Sequence, residues 1–98
     1  MIKLKVQSEA NDNILEIIRS AIIAEIKRLE IGLQKTEKQI KLFEQEYNIS
    51  SEEFLREYTA EDMKKGDTEY IEWAGELKLK ERIADDLKRL KEIEYVAQ

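Results

Sequence analysis

The stretch that decides the fold runs from Leu15 to Tyr47 and reads LEIIRSAIIAEIKRLEIGLQKTEKQIKLFEQEY. Large side chains recur in it every seven residues in two complementary registers, so that three- and four-residue steps alternate along most of its length. One register is Ile26, Leu33, Ile40 and Tyr47, and the other is Leu15, Ile22, Leu29, Thr36 and Phe43. This spacing is typical of a long helix that packs along one side against other helices. We therefore expect residues 12–47 to form one long helix.

A second amphipathic pattern covers residues 67–96 and predicts a second long helix. Between the two helices, Asn48 is suited to the left-handed conformation that ends a helix, and Ser50 with Glu53 has the spacing of a capping box. Residues 50–66 should therefore form a tip of short helices. A large apolar set falls at or near this tip and should form its core: Phe43, Tyr47, Ile49, Phe54, Leu55, Tyr58, Met63, Tyr70, Ile71 and Trp73.

A short connection forces two long helices to lie antiparallel. The sequence thus predicts a single all-α domain over residues 1–98, a long coiled-coil-like helical hairpin with a short helical tip.

Residues 1–7 alternate between apolar and polar side chains and predict a short β segment before the first helix. A lone strand cannot satisfy its own backbone hydrogen bonds. Three outcomes stay open: the segment pairs with its copy in a dimer, joins the sheet of another protein, or remains a loosely ordered chain end.

The two predicted helices differ in length, at roughly 50 Å and 42 Å for a rise of 1.5 Å per residue. If both start at the tip, the first turns of the longer helix overhang, and those turns are the most apolar in the chain. We expect this end to be the interface in a homodimer or higher oligomer, which would form a helical bundle, or with another protein. The predicted interface residues are Ile2, Leu4, Val6, Ile14, Leu15, Ile17, Ile18, Ala21, Ile22 and Ile26.

Composition argues against catalysis. The chain has no histidine and no cysteine, so the usual zinc and copper ligands and the usual neutral-pH proton carrier are missing. The three glycines are isolated, and the carboxylates lack the paired pattern of magnesium-binding helical pyrophosphatases. We expect no catalytic, cofactor-binding or metal site. No apolar run is long enough to be a signal peptide core or a membrane span, so the sequence predicts a cytoplasmic protein that does not bind membranes.

The net charge of −5 is unevenly distributed. Residues 1–50 hold eight basic and eight acidic side chains, whereas residues 51–98 hold nine and fourteen. An acidic face in the second half would attract a basic protein and repel a phosphate backbone, although an acidic run is more often simply a solvated helix surface. The residues expected on this acidic partner face are Glu52, Glu53, Glu57, Glu61, Asp62, Glu69, Glu72 and Glu76.

Binding to DNA is a secondary alternative. Lys3, Lys5 and Gln7 share one side of the predicted β segment, and two such segments in a dimer could enter a major groove, as in ribbon-helix-helix regulators. In those regulators, a glycine-containing turn interrupts the helices soon after the strand. No such turn precedes Asn48, and the few lysines would give weak phosphate affinity.

Four segments of the chain form a recognisable pattern: residues 22–30 (IIAEIKRLE), 35–47 (KTEKQIKLFEQEY), 50–54 (SSEEF) and 66–73 (GDTEYIEW). Over roughly residues 12–93 this pattern resembles the TumA-like antitoxins, a family of small prokaryotic helical proteins encoded beside a small ribonuclease-like toxin. The resemblance implies a non-enzymatic protein that masks a basic ribonuclease-type toxin, and it implies no catalytic residues. The alternative is a coiled-coil scaffold or chaperone-like homo-oligomer without a toxin partner.

Overall fold

A long helical hairpin forms most of the molecule, whose computed structural model describes residues 2–6, 12–58 and 67–97. The elements in chain order are strand β1 (Ile2–Val6), helices α1 (Asp12–Tyr47), α2 (Ser51–Glu57) and α3 (Asp67–Lys91), and strand β2 (Ile93–Ala97). The molecule is elongated, measuring 61 × 20 × 18 Å. The predicted pairing of a long helix with a second helix is confirmed. The part of the predicted tip between residues 59 and 66 lies outside the described residues.

Helices α1 and α3 pack antiparallel. Glu30 of α1 contacts Lys91 at the end of α3, whereas Tyr47 at the end of α1 contacts Glu69 near the start of α3. Between these ends, the helices share an apolar cluster of Leu29, Ile83 and Leu87, with Ile26, Leu33 and Leu90 packed around it. The ion pairs that cross the hairpin are exposed and contribute about 0–1 kcal/mol each, so apolar burial holds the helices together.

The chain reverses direction directly after α1. Asn48 has a φ of 54°, and the Ile49 amide donates to the Glu44 carbonyl at 3.2 Å, which is the hydrogen bond of a left-handed helix end. The Ser50 hydroxyl oxygen then accepts from the Glu53 amide at 3.1 Å and caps α2. One helix therefore ends and the next begins within three residues.

The tip of the hairpin is an aromatic core. Phe54 and Trp73 are fully buried, and their rings stack with centroids 4.0 Å apart. The rings of Phe43 and Tyr47 also stack on Trp73, at 5.5 and 5.9 Å. The partly buried residues Ile49, Tyr58, Tyr70, Ala74 and Leu77 surround this core. Two residues that we expected in it, Leu55 and Ile71, are exposed instead.

A chain of hydrogen bonds ties all three helices together beside this core. The indole Nε1 of Trp73 (α3) donates to the hydroxyl of Ser51 (α2) at 3.0 Å. That hydroxyl donates to the carboxylate of Glu44 (α1) at 2.9 Å, and the Ser51 amide donates to the same oxygen at 2.9 Å. The polar edge of the buried indole is thus satisfied, as burial of tryptophan requires.

The second long helix is shorter than the sequence predicted. We expected it to reach about residue 96, but α3 ends at Lys91 and the next residues form β2, which pairs in parallel with β1 so that Ile2 faces Ile93. Isoleucine, tyrosine and valine within β2 favour extended backbone. The pairing also gives β1 hydrogen-bond partners from its own chain, which is none of the three outcomes left open for this segment.

Replacing Ser51 with alanine tests the connection between the helices. The variant Ser51→Ala leaves the buried Trp73 indole N–H without its acceptor, so the free energy of unfolding should fall by about 1–3 kcal/mol. Urea denaturation followed by circular dichroism measures this. The control Ser20→Ala, on an exposed face of α1, should stay within about 0.5 kcal/mol of the native chain. Equal stabilities of the two variants would contradict the hydrogen-bonded connection.

Candidate interaction surface

The N-terminal part of α1 extends beyond the end of α3. At the last turns of α3, Leu90 packs near Ile26 and Lys91 reaches Glu30 at a distance of 3.5 Å. Residues 12–24 of α1 therefore continue past the hairpin core, over about 20 Å at 1.5 Å per residue. The predicted overhang is thus a feature of the hairpin.

Apolar side chains in this overhang are open to solvent. Ile14, Ile17 and Ala21 are exposed, and Ile17 keeps 61% of its accessible surface. The predicted interface residues Leu15, Ile18 and Ile22 are half-buried, and Ile26 belongs to the core around Leu29. The predicted residues Ile2, Leu4 and Val6 lie in β1, and their side chains are outside the part of the chain that the structure describes.

One face of α1 carries most of this exposed apolar surface. We call it the outer stripe: Ile14, Ile17, Ala21, Ala24, Arg28 and Ile31. Its members follow the three- and four-residue steps that keep side chains on one helix face, but in a different register from the residues that contact α3. All six are exposed, and Ile31 keeps 68% of its accessible surface.

Sequence reasoning did not assign Ala24 and Ile31 to an interface, and it also missed Ile23, which is 47% exposed. The sequence contains a spacing pattern that identifies two of these three residues. Ala24 and Ile31 continue the heptad spacing that starts at Ile14 and Ile17. The stronger pattern facing α3 concealed this second register, because both overlap in the most apolar turns. Ile23 belongs to neither register.

The charged member of the outer stripe is neutralised by a neighbour. Arg28 donates two hydrogen bonds to the Glu25 carboxylate, at 2.6 and 2.8 Å. These hydrogen bonds lower the pKa of the Glu25 carboxyl and raise the pKa of the Arg28 guanidinium. Both groups stay ionised at neutral pH as a pair, so the outer stripe and its immediate flank carry no net charge.

The predicted acidic face divides into two groups. Glu52, Glu57 and Glu72 are exposed, and Glu53 is half-buried. Glu69, in contrast, is only 6% exposed and accepts a hydrogen bond from the Tyr47 hydroxyl. Glu61 and Asp62 lie outside the described residues.

Glu76 also faces the hairpin interior. It is half-buried and accepts a hydrogen bond from the hydroxyl of Thr36, which is 2% exposed. The prediction that Glu69 and Glu76 lie on a partner-facing surface is therefore wrong, because both carboxylates accept hydrogen bonds within the hairpin. Glu76 thereby supplies the hydrogen-bond partner that the buried Thr36 hydroxyl requires.

Open grooves follow the contact between α1 and α3. One, of about 290 Å³, is lined by Glu25, Arg28, Leu29, Gly32, Leu79, Arg82, Ile83 and Asp86. Another, of about 450 Å³ near the tip, is lined by Gln39, Phe43, Ile71, Glu72, Gly75 and Glu76. Within residues 2–6, 12–58 and 67–97, no three histidine, cysteine, aspartate or glutamate side chains gather in a group suited to a metal ion. Over the same ranges, no helix combines the length and apolar character needed to cross a membrane.

Comparisons with protein-family models, with curated proteins and with solved structures found no match for this chain.

Alanine variants of two glutamates of α3 test whether Glu69 faces the hairpin interior while Glu72 faces solvent. The variant Glu69→Ala removes the acceptor of the Tyr47 hydroxyl and should lower the free energy of unfolding by about 1–3 kcal/mol. The variant Glu72→Ala, three residues further along the same helix, should change it by less than about 0.5 kcal/mol. Chemical denaturation of both variants measures the difference. A larger loss for Glu72→Ala would contradict the inward placement of Glu69.

Proposed function

We propose that this protein is a non-enzymatic protein-interaction module, and that it acts as an antitoxin-like neutraliser of a basic ribonuclease-type toxin. The observation that supports an interaction role is the overhang of α1, where Ile14 and Ile17 lie in solvent beyond the end of α3. Exposed contiguous apolar surface of this kind marks interaction sites in soluble proteins.

The free energy that burial of this surface can contribute is comparable with the cost of association. Fully burying an isoleucine side chain contributes about 1.5–3 kcal/mol, so Ile14, Ile17 and Ile31 together offer several kcal/mol. Association costs an estimated 4–15 kcal/mol, which is the same order of magnitude. The alanines between these isoleucines add contact area with little side-chain entropy to lose. A partner that covers the whole outer stripe can therefore offset much of the cost of binding.

Charge supports the toxin-directed part of the proposal. The exposed acids Glu52, Glu57, Asp67 and Glu72 lie at the tip end of the hairpin, where Arg56 is paired with Glu57 at 3.6 Å. An acidic surface speeds association with a basic protein and competes with RNA for it. The resemblance to TumA-like antitoxins supports the same role. We place this activity in the cytoplasm, where such a toxin would meet its RNA.

Two features favour this proposal over its alternatives. The carboxylates of Glu69 and Glu76 accept hydrogen bonds from Tyr47 and Thr36 inside the hairpin, an arrangement that explains these two acids without catalysis. One edge of β1 is occupied by β2 of the same chain, so a DNA-binding ribbon made of two β1 strands would have to use the other edge. A protein-interaction role needs neither free carboxylates at these positions nor a new strand pairing.

Co-expression with the neighbouring gene product tests the proposal. If a small basic protein is encoded beside this chain, its expression alone should arrest growth, and co-expression of this protein should restore growth and yield a co-purifying complex. The triple variant Glu52→Lys/Glu57→Lys/Glu72→Lys should weaken that complex by about tenfold or more, because like charges now face the basic partner. A matched control with Lys35→Glu and Lys38→Glu, in the middle of α1, should leave binding intact or strengthen it.

Failure to restore growth together with failure to co-purify would remove the antitoxin role. Co-purification that is insensitive to the triple variant would place the toxin-binding surface elsewhere than on the acidic tip. A chain with no basic neighbour, forming regular homo-oligomers, would instead be the coiled-coil scaffold.

A further inference from the structure

We infer that the outer stripe of α1 binds the outer stripe of a second copy of this chain, with the two α1 helices antiparallel. This inference rests on the proposed interaction role of the overhang and names the occupant of that surface. It leaves the acidic tip as a separate surface for a basic partner.

The order of residues in the outer stripe is self-complementary. The stripe is symmetric about a point between Ile22 and Ile23, so an antiparallel copy centred there places Ile14 opposite Ile31 at both ends. At the centre, Ala21 lies opposite Ala24 of the second copy. Small residues at the centre allow the helix axes to approach closely, and the isoleucines fill the space towards the ends.

Arg28 fits an antiparallel copy better than a parallel one. In the antiparallel register it faces Ile17 of the second copy, and its aliphatic stem can cover that side chain. Its guanidinium remains hydrogen-bonded to Glu25 of its own helix. A parallel copy in register would place the two Arg28 side chains against each other, which costs electrostatic energy.

The charge distribution along the hairpin selects the same orientation. Residues 1–50 have no net charge. Residues 51–77, which include the tip, hold nine acidic and three basic side chains, whereas residues 78–98, which run back along α1, hold five acidic and six basic ones. With the proposed centre, the end of α1 at the tip lies about 37 Å from the symmetry axis in each copy, which separates the two tips by roughly 70 Å. Salt screens charges beyond about 8 Å at physiological ionic strength, so the tips would not repel. Parallel hairpins would hold both acidic tips side by side.

Sedimentation equilibrium of the full chain tests the association. The native chain should sediment as a species of twice the 11.6 kDa chain mass at micromolar concentration. The variant Ile17→Glu should raise the dimer dissociation constant by about tenfold or more, because it places an unpaired charge in the contact. Its helical circular dichroism should stay unchanged, since Ile17 is 61% exposed and lies beyond the end of α3.

Ile23→Glu is the matched control. Ile23 is also an exposed isoleucine of the overhang, but it lies about 120° around the helix from Ile17, away from the outer stripe. The dimer dissociation constant of the Ile23→Glu variant should match that of the native chain. A native chain that remains monomeric, or an Ile23→Glu variant that dissociates as readily as Ile17→Glu, overturns the proposal.

Disulfide trapping tests the orientation, and the chain suits it because it contains no cysteine. An oxidised mixture of Ile14→Cys and Ile31→Cys chains should give a cross-linked heterodimer, whereas neither variant alone should cross-link efficiently. Efficient cross-linking of Ile14→Cys with itself would show a parallel dimer and overturn the antiparallel arrangement.

These outcomes are separable from those of the antitoxin role. A monomer that still neutralises its toxin removes this inference alone. A cross-linked dimer that never restores growth removes the antitoxin role alone.

Discussion

The packing of Trp73 is the interaction on which the rest of the structure depends. Its ring stacks on Phe54, Phe43 and Tyr47, and its indole N–H is connected through Ser51 to Glu44. One side chain of α3 thereby contacts both α1 and α2. Because the stack is buried and the polar edge is satisfied, the three helices have one way to meet at this end. The tip therefore fixes the starting point from which α1 and α3 are aligned.

The alignment of α1 and α3 at the tip determines how far α1 extends beyond α3 at the other end of the hairpin. Helix α1 has 36 residues and α3 has 25, so starting both at the tip leaves the first turns of α1 without a helical neighbour. Two partly buried polar contacts, Thr36 with Glu76 and Tyr47 with Glu69, strengthen this alignment. Sliding α3 by one turn towards the overhang would bury these groups without partners. The length of the overhang is thus fixed by the alignment at the tip.

Local sequence patterns anticipated much of this arrangement, and the exceptions have physical causes. The heptad spacing, Asn48 and the Ser50 cap are short-range signals, and they led to the paired helices and the reversal between them. The end of α3 at Lys91 was missed because the β-favouring residues of β2 also fit the apolar spacing of a helix, and their partner strand β1 lies at the other end of the sequence. Glu69 and Glu76 were assigned to the surface because glutamate is usually solvated, but Tyr47 and Thr36 supply partners from a different helix. The outer stripe was partly hidden by the stronger register that faces α3.

The central claim is that the tip holds the hairpin together within one chain while the overhang of α1 is completed by a partner copy. Amide hydrogen exchange of the full chain, measured by mass spectrometry at low and high micromolar concentration, tests both parts at once. The account predicts that exchange in residues 13–31 slows at the higher concentration, while exchange in residues 40–54 and 69–77 is strongly protected at both. Protection of residues 13–31 that does not change with concentration, or protection of the tip that does, would contradict it.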